Sequence, residues 1–263
     1  MTVRALNTAA TGMAAQQLLL DQISHDLANV ETTGYKRGLT LFETMISQNA
    51  KRVGSITSTH GNIAPGGIQI GLGVKPSAIV KILEQGPLLS TDNQLNIAIQ
   101  GSGYFQIETP SGDIAYTRDG SFGRSADGLL VTQSGDTVLP GFTIPEGADV
   151  SITPDGQVYA KIAGQVQPQN LGKIDLAKFA NPAGLEEAEG NLLYETAASG
   201  APTTDTPGND GMGTLAQGYL EGSNVNAISA VTKLISAQRA FEMNTKSAKT
   251  AEDMLAGIKS LGA

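Results

Sequence analysis

The side chains that could carry metal or acid–base chemistry are scarce in this sequence. It contains two histidines, His25 and His60, and no cysteine. Because cysteine ligands are absent, a zinc site would have to combine both histidines with carboxylates from different parts of the chain. The lack of cysteine also excludes disulfides and thiol catalysis. We therefore expect no metal site, and we expect both histidines at surfaces or interfaces.

Four aspartates could suggest calcium binding or carboxylate catalysis, and each of them lies next to a glycine: Asp119, Asp127, Asp136 and Asp155. The sequence has no D-x-[DN]-x-[DN]-G calcium loop. Asp-Gly pairs are typical of tight turns between strands. The three Asp-Gly pairs at 119, 127 and 155 therefore predict hairpin turns.

Nucleotide binding and serine hydrolysis find no support in the sequence. The stretch "GSGYFQ" (101–106) is too short for a phosphate-binding loop, and a strand-like run follows it instead of a helix. No Gly-x-Ser-x-Gly elbow is present, and pairing Ser102 with His60 as its base would have no pattern behind it. We expect no catalytic residues and no cofactor.

The net charge is distributed unevenly along the 263 residues, whose sum is −8. Residues 53–220 carry seven basic and seventeen acidic groups, whereas each end is nearly neutral. An acidic middle repels nucleic acid and anionic membranes, which excludes both as natural partners. No run reaches the apolar length of a membrane span or of a signal peptide, so we expect no direct membrane insertion and no cleaved leader.

The N-terminal residues have the heptad pattern of a coiled-coil helix. Leu6, Met13, Leu20 and Leu27 recur every seven residues, and Ala9, Gln16, Ile23 and Val30 follow each of them by three. This is an apolar stripe of nearly four heptads with one polar interruption. Thr33-Gly34 predicts the end of the helix, since glycine readily adopts the left-handed conformation.

The C-terminal residues repeat that pattern. Leu234, Phe241, Ala248 and Leu255 are seven apart, and Ala237, Asn244, Ala251 and Ile258 follow them by three. Gly222-Ser223-Asn224 offers capping chemistry ahead of this helix. The two stripes match in length and character, which predicts that the terminal helices pair.

The middle of the chain is typical of β structure. Short apolar runs such as "IQIGLGV", "AIVKIL", "NIAIQ", "GYFQIE", "GLLVT" and "QVYAKIA" are separated by turn residues. The polar, glycine- and proline-rich stretch 199–213 predicts a loop. The predicted fold is α+β. Helices of 1–35 and 222–263 pair as a coiled coil, 36–67 is an extended connector, and 68–221 is a β-rich outer domain.

Both predicted helices carry apolar or small residues outside the stripe. These are Ala10, Ala14, Val231, Ile235, Ala240 and Met254. A two-helix pair buries one stripe of each helix, so these residues are available to neighbouring subunits. Head-to-tail contacts of that kind build open helical arrays.

The same segments resemble a known family. "AATGMAAQQLLLDQISHDLANVETTGYKR" and "QGYLEGSNVNAISAVTKLISAQRAFEMNTKSAKTAEDMLAGI" are similar to the N- and C-terminal signatures of the bacterial flagellar rod and hook family. Between them, "GSGYFQI", "YTRDGSF" and "DGLLVTQSGDTVLPG" resemble its β-domain motifs. The length suits a rod subunit with one β domain, and the connector resembles that of the distal part of the rod. A proximal rod or hook subunit is the nearer alternative.

The resemblance implies a non-enzymatic structural protein of the basal body. In this family paired terminal helices form an inner tube, β domains form an outer layer, and the shaft crosses the periplasm. The implied partners are other copies of the chain, proximal rod subunits, the hook protein, the surrounding P- and L-ring proteins and the type III export apparatus. A carbohydrate-binding β module on a coiled-coil stalk is the distant alternative, and the absence of Trp argues against it.

The candidate site residues therefore concern assembly. In the helices they are Leu6, Met13, Leu20, Ile23, Leu27, Leu234, Phe241, Asn244, Leu255 and Ile258. After the first helix they are Asn29, Gly34, Tyr35, Lys36 and Arg37. The cationic turn at 35–37 has two interpretations: it is solvated, or it contacts the acidic β domain of a neighbouring subunit.

Overall fold

The computed structural model describes residues 2–51, 66–162 and 167–261. The fold is α+β, with one helix near each terminus and a β-rich middle. The helices are α1 (Thr2–Ala28) and α2 (Ala227–Leu261). The strands, in chain order, are β1 (Gly38–Thr44), β2 (Gln48–Lys51), β3 (Ile68–Ile70), β4 (Val74–Lys81), β5 (Leu88–Ser90), β6 (Ile97–Gln100), β7 (Phe105–Glu108), β8 (Ile114–Thr117), β9 (Gly123–Arg124), β10 (Leu130–Val131), β11 (Thr137–Val138), β12 (Asp149–Ile152), β13 (Gln157–Lys161), β14 (Gln169–Lys173), β15 (Leu176–Lys178), β16 (Glu186–Glu187), β17 (Leu193–Tyr194), β18 (Thr203–Asp205), β19 (Thr214–Gln217) and β20 (Tyr219–Glu221).

The chain divides into two compact units. The helical unit consists of Met1–Ala28, Gly38–Val80 and Asn226–Ala263. The β-rich unit consists of Asn29–Arg37 and Lys81–Val225. Within the described residues, neither helix has both the length and the apolar character needed to cross a membrane.

In the helical unit, α1 packs against α2. The unit also contains the short strands β1 to β4. β1 pairs with β4, and β2 pairs with β3 in antiparallel fashion. The β1–β4 pair forms a two-stranded ribbon. Its strand β1 lies in the predicted connector (36–67), whereas its strand β4 lies in the predicted β-rich domain (68–221). The predicted connector continues through 52–65, which lie outside the described residues.

The β-rich unit is built around a seven-stranded sheet of order β16-β17-β8-β7-β11-β10-β9. A three-stranded sheet, β12-β13-β14, and the pairs β15-β18, β19-β6 and β20-β5 complete it. Its core is aliphatic and aromatic, with Phe105 and Phe122 in an edge-to-face contact at 5.0 Å between ring centroids. Burial of such side chains supplies the main stabilisation of the unit.

All six apolar runs that predicted strands contain a strand, and two of the three predicted Asp-Gly hairpin turns join paired strands. The hairpin predicted at Asp119-Gly120 was wrong: β8 and β9 on either side of it are not neighbours in the sheet, and the Gly120 O accepts the Ile97 N–H at 3.0 Å instead. Asp127-Gly128 lies between β9 and β10, and Asp155-Gly156 lies between β12 and β13. Gly128 and Gly156 have φ of 85° and 84°, which a side chain would oppose. The prediction of an unbroken loop over 199–213 was wrong, since Thr203–Asp205 pairs with β15. The polar composition of this stretch does not reveal that its residues 203–205 pair with a strand that is distant in sequence.

The predicted helix ends were also wrong in detail. α1 ends at Ala28, six residues before Gly34, because Asn29 starts a turn in which its backbone O accepts the Thr32 N–H at 3.3 Å and its Oδ1 accepts the Thr32 hydroxyl at 3.0 Å. Asn226, and not Gly222-Ser223-Asn224, caps α2, since its Oδ1 accepts the Ser229 N–H at 3.0 Å.

Candidate functional site

The contact between the two helices is close where small residues allow it. A side chain at Gly12 would lie 2.9 Å from Nδ2 of Asn244 on α2. Next to this point, the Thr245 hydroxyl donates to Sδ of Met13 at 3.3 Å. Glycine at position 12 therefore permits an approach that a larger residue would prevent.

The structure places the predicted stripe residues along the two helices with graded burial. Ile23 is buried, and the half-buried members are Leu6, Met13, Leu20, Leu27, Leu234, Phe241, Asn244 and Leu255. The side chain of Ile258 lies outside the described residues. Full burial falls on the small residues Ala9, Ala237 and Ala251. The assignment of the predicted stripe residues as assembly residues stays a prediction.

A second face of α1 packs on the ribbon of the helical unit. The buried Asp26 accepts hydrogen bonds through Oδ1 from the Gly38 N–H at 3.1 Å and from Nε2 of Gln22 at 2.9 Å. Gly73 and Gly38 leave no room for a side chain beside Thr11 and Gln22, respectively. This polar face has no counterpart in the heptad pattern.

Large apolar side chains remain exposed along α2 and the ribbon. On α2 they are Ile228, Val231, Ile235, Met243 and Met254, and Ile228 is 81% exposed. On the short strands of the helical unit they include Leu39, Leu41, Phe42, Ile68 and Ile79. Contiguous exposed apolar residues mark surfaces that bind other proteins.

The β-rich unit contains a buried charge cluster centred on Glu221, whose side chain has no solvent exposure. Its Oε1 is paired with Nζ of Lys36 and also accepts the Gly86 N–H at 3.0 Å. Its Oε2 accepts from Nη1 of Arg118 at 3.3 Å, and the guanidinium lies 5.2 Å from the centroid of the Tyr104 ring. One carboxylate therefore joins residues from four distant parts of the chain.

Burial changes the ionisation of the groups around this carboxylate. Desolvation lowers the pKa of Lys36, and the hydrogen bond and charge of Glu221 only partly oppose this. Desolvation raises the pKa of Tyr104, against the opposing effect of Arg118. The cluster is thus held by internal pairing and is little screened by solvent.

The predicted subunit-contact residues that follow α1 form an ordered segment of the β-rich unit. Gly34, at φ 70°, donates its N–H to the backbone O of Glu221 at 2.8 Å. Tyr35 is buried, with Nζ of Lys81 4.9 Å from its ring centroid. Arg37 approaches the carboxylate of Glu84 at 3.5 Å, and Asn29 holds the turn described above. The Lys36 charge is used within the chain, whereas a subunit contact by Arg37 stays a prediction.

The aspartates considered for metal or acid–base chemistry lie in turns and loops between strands, and Asp136 among them is buried. Asp119 accepts the Ser121 N–H at 3.0 Å, and Asp136 accepts the Thr132 hydroxyl at 3.3 Å. His25 is exposed in the last turn of α1, and His60 lies outside the described residues. Among the residues that the structure describes, no three His, Cys, Asp or Glu side chains are grouped as metal ligands.

Comparison with known proteins identifies the group to which these features belong. The family model described as "Flagella basal body rod protein" matches residues 6–36, and that described as "Flagellar basal body rod FlgEFG protein C-terminal" matches residues 216–261. "Flagellar hook protein FlgE/F/G D1 domain" matches residues 98–160. "Flagellar basal-body rod protein FlgG" of Caulobacter vibrioides is 49% identical over 98% of this chain and 99% of the relative. The chain belongs to the flagellar basal-body rod protein family.

Relatives from other bacteria agree in name and coverage. "Flagellar basal-body rod protein FlgG" of Agrobacterium fabrum is 46% identical over 96% of this chain and 97% of the relative. The protein of the same name from Bacillus subtilis is 37% identical over 98% of this chain and 99% of the relative. The rod family is structural, so this chain is a structural subunit of the basal body and not an enzyme.

Sequence reasoning missed Glu221 and Arg118, the centre of the buried cluster. A signal was available: both charges stand in motifs otherwise made of aromatic, small and turn residues, "YTRDGSF" and "GYLEGSNV". Charged residues are rarely fully buried unless they are paired. Their partners could not be assigned, because Glu221 and Lys36 are 185 residues apart.

Proposed function

We propose that this chain is a subunit of the distal rod, which self-assembles into a hollow helical shaft and transmits torque from the motor to the hook. The observation that carries the proposal is full-length similarity to one rod protein in particular. In Caulobacter vibrioides, the protein named FlgG is 49% identical and the protein named FlgF is 30% identical to this chain. This difference favours the distal rod over another axial position.

The terminal helices pair as a coiled coil in this proposal. Support comes from burial at heptad spacing, since Ala230, Ala237 and Ala251 are buried on α2 and Ala9 and Ile23 are buried on α1. Asn244 continues the series of Ala237 and lies against Gly12. A polar residue inside such a stripe fixes the register of the pair.

The polymer forms through apolar residues that this pair leaves uncovered. Val231 and Ile235 are 43% and 45% exposed on α2, and Ile228 lies one turn before them. Their spacing of three and four residues places them on one helix face. Because the contact is heterologous, each added subunit presents the same surface again, which builds an open helical shaft. Stiffness comes from many repeated contacts.

The proposed partners follow from this position in the flagellum. They are further copies of the chain, proximal rod subunits below, the hook protein above, the P- and L-ring proteins around the shaft, and the type III export apparatus that delivers the subunit across the inner membrane. The shaft crosses the periplasm.

The connector limits sliding between neighbouring subunits in this proposal. The part of the connector concerned is 43–67, of which 52–65 lie outside the described residues. Between β1 and β2 it carries two exposed apolar side chains, Met45 and Ile46. Deletion of the connector is expected to give a curved or flexible polymer, seen by electron microscopy. An unchanged straight rod would contradict this role.

Polymerisation of the purified chain tests the function. Electron microscopy of the concentrated full-length chain is expected to show long tubes. Val231→Glu with Ile235→Glu places two charges in the proposed contact and should abolish them. Ser229→Glu with Ser236→Glu adds two charges at exposed positions on a different side of the same helix and should leave tubes intact.

The two ways in which this experiment could fail are distinct. Discrete particles from the unaltered chain at every concentration would overturn self-assembly into a rod. Tubes from the Val231 and Ile235 variant would retain the rod but exclude this face of α2 as the contact. Circular dichroism of the variant monomers checks that their folded content equals that of the unaltered chain.

A further inference from the structure

Asn224 joins three places in the β-rich unit, each near an end of one of the unit's two chain segments, Asn29–Arg37 and Lys81–Val225. The unit includes chain ends at Arg37, Lys81 and Val225. Oδ1 of Asn224 accepts the Arg37 N–H at 2.8 Å, and Nδ2 donates to the backbone O of Ile82 at 2.7 Å and of Glu84 at 3.1 Å. The amide therefore uses its acceptor on the main chain of the first segment and its donors on the main chain at the start of its own segment.

Backbone contacts reinforce this junction. The Ile82 N–H donates to the Arg37 O at 2.9 Å, and the Asn224 N–H donates to the Tyr35 O at 3.3 Å. Three residues earlier, the buried Glu221 holds Lys36 and the Gly86 N–H. We call Asn224 and Glu221, with these partners, the segment clasp.

We propose that Asn224 is a positioning residue for assembly: it holds residues 35–37 and 82–84 beside 224, so that both chain extremities leave the β-rich unit as neighbours before their helices pair. This inference rests on the proposed function, because Asn224 would promote the helical pair from which the proposed polymer is built. Asparagine suits the role because one short side chain carries an acceptor and two donors. Aspartate would keep the acceptor and lose the donors, and alanine would lose all three.

The physical basis is the entropy of bringing two distant helices together. α1 ends at Ala28 and α2 begins at Ala227. With the clasp closed and the Gly34 N–H bonded to the backbone O of Glu221, only residues 29–33 and 225–226 stand between a fixed point and a helix. Because a shorter tether raises the effective concentration of one helix at the other, the clasp favours pairing without contacting either helix.

A reporter disulfide measures this effective concentration directly. The chain has no cysteine, so Met13→Cys with Thr245→Cys, at a point where α1 and α2 touch, gives a single possible disulfide. Its rate of formation is measured in the dilute full-length chain with a fixed oxidant. Asn224→Ala is expected to slow it on the order of 10-fold, and Asn224→Asp to give an intermediate rate.

Asn170→Ala is the matched control. Asn170 is an exposed residue of β14 that also makes side-chain hydrogen bonds, to Gln157 and to the Gly172 N–H. Its variant should oxidise at the unaltered rate. Hydrogen exchange of 97–107, which holds core strands of the β-rich unit, should be unchanged in all variants, while exchange of 35–37 should accelerate in Asn224→Ala alone.

Each alternative result overturns the proposal. An unaltered oxidation rate in Asn224→Ala excludes a positioning role, and equal acceleration of exchange at 35–37 and 97–107 assigns Asn224 to general stability. The disulfide is intramolecular and needs no polymer. A chain with normal oxidation rates that never forms tubes therefore contradicts the proposed function and leaves the clasp standing.

Discussion

Lys36 and Glu221 stand 185 residues apart in the sequence and form an ion pair inside the β-rich unit, where the Glu221 side chain is wholly buried. Arg118 adds a second cation to the same carboxylate. Removing three charges from water is costly, and their mutual attraction repays this only when the geometry is good. The main effect of the cluster is therefore to determine which chain segments come together, and its net contribution to the free energy of unfolding is small. Breaking it, however, leaves buried cations without a counter-ion.

Neutralising the central carboxylate should destabilise the β-rich unit strongly. Glu221→Gln keeps the shape of the side chain but leaves Lys36 and Arg118 buried without a negative charge. We expect a loss of about 3–5 kcal/mol in the free energy of unfolding, measured by urea titration. Glu84→Gln is the matched control: Glu84 pairs with Arg37 at 3.5 Å and its side chain is 74% exposed, so the loss should stay below about 1 kcal/mol. Equal effects of the two substitutions would contradict the buried-cluster interpretation.

The pH dependence of stability should carry the signature of Lys36. Its pKa in the folded chain lies below the ordinary value of 10.5, because desolvation outweighs the attraction of Glu221. Between the lowered value and 10.5 the unfolded chain binds more protons at this site, so its contribution to stability rises with pH in that window. Below the window both states are protonated and the contribution is constant.

Lys36→Met removes this titration and provides the comparison. The free energy of unfolding of the unaltered chain, taken relative to the variant, should rise with pH over the range just below the ordinary lysine pKa of 10.5. Burial raises the pKa of Tyr104, so the unaltered chain and the variant both lose stability above the ordinary tyrosine pKa of 10.0. Because both chains lose it, this effect largely cancels in the difference between their free energies of unfolding. A difference that stays flat over the whole range would show that Lys36 titrates alike in both states.

The fold was predictable from sequence where a pattern repeats locally. The heptad pattern predicted both helices, and the apolar runs separated by turn residues predicted strands. Both patterns depend only on residues that lie within a few positions of one another. The end of α1 at Ala28 was not predictable, since the Asn29–Thr32 turn competes with a helix that the apolar stripe would extend. The Glu221 cluster and the Asn224 clasp depend on chain segments that come together only in the folded unit.

The helix contact at Gly12 should appear as a coupling with Asn244. Alanine is a better helix former than glycine by about 1 kcal/mol, but its Cβ would lie 2.9 Å from the Asn244 side chain. Gly12→Ala alone should therefore be neutral or destabilising, whereas in an Asn244→Ala background it should stabilise by about 1 kcal/mol. Thermal unfolding of the four chains, followed by far-ultraviolet circular dichroism, gives the coupling. Additive effects would mean that the two helices do not touch here.

Gly34, predicted to stop the first helix, has a different role that substitution should reveal. It lies beyond the helix at φ 70°, and a Cβ there would stand 2.8 Å from the backbone N of Asp119 and 2.9 Å from the backbone C of Arg118. Gly112 has a φ of 89° and nothing within 4 Å of its Cβ position, so it isolates the conformational cost. Gly112→Ala should cost about 1–2 kcal/mol.

Gly34→Ala should cost about 3 kcal/mol or more, because main-chain atoms beside the Glu221 cluster cannot yield as a flexible side chain would. Urea titration of both variants measures the difference. The displaced Arg118 backbone should also disturb the ion pair, so the tyrosine absorbance of Tyr104 in alkaline titration should shift in Gly34→Ala and stay unchanged in Gly112→Ala. If the two alanines cost the same, the positive φ alone explains the glycine, and the close approach to the Asp119 main chain contributes nothing.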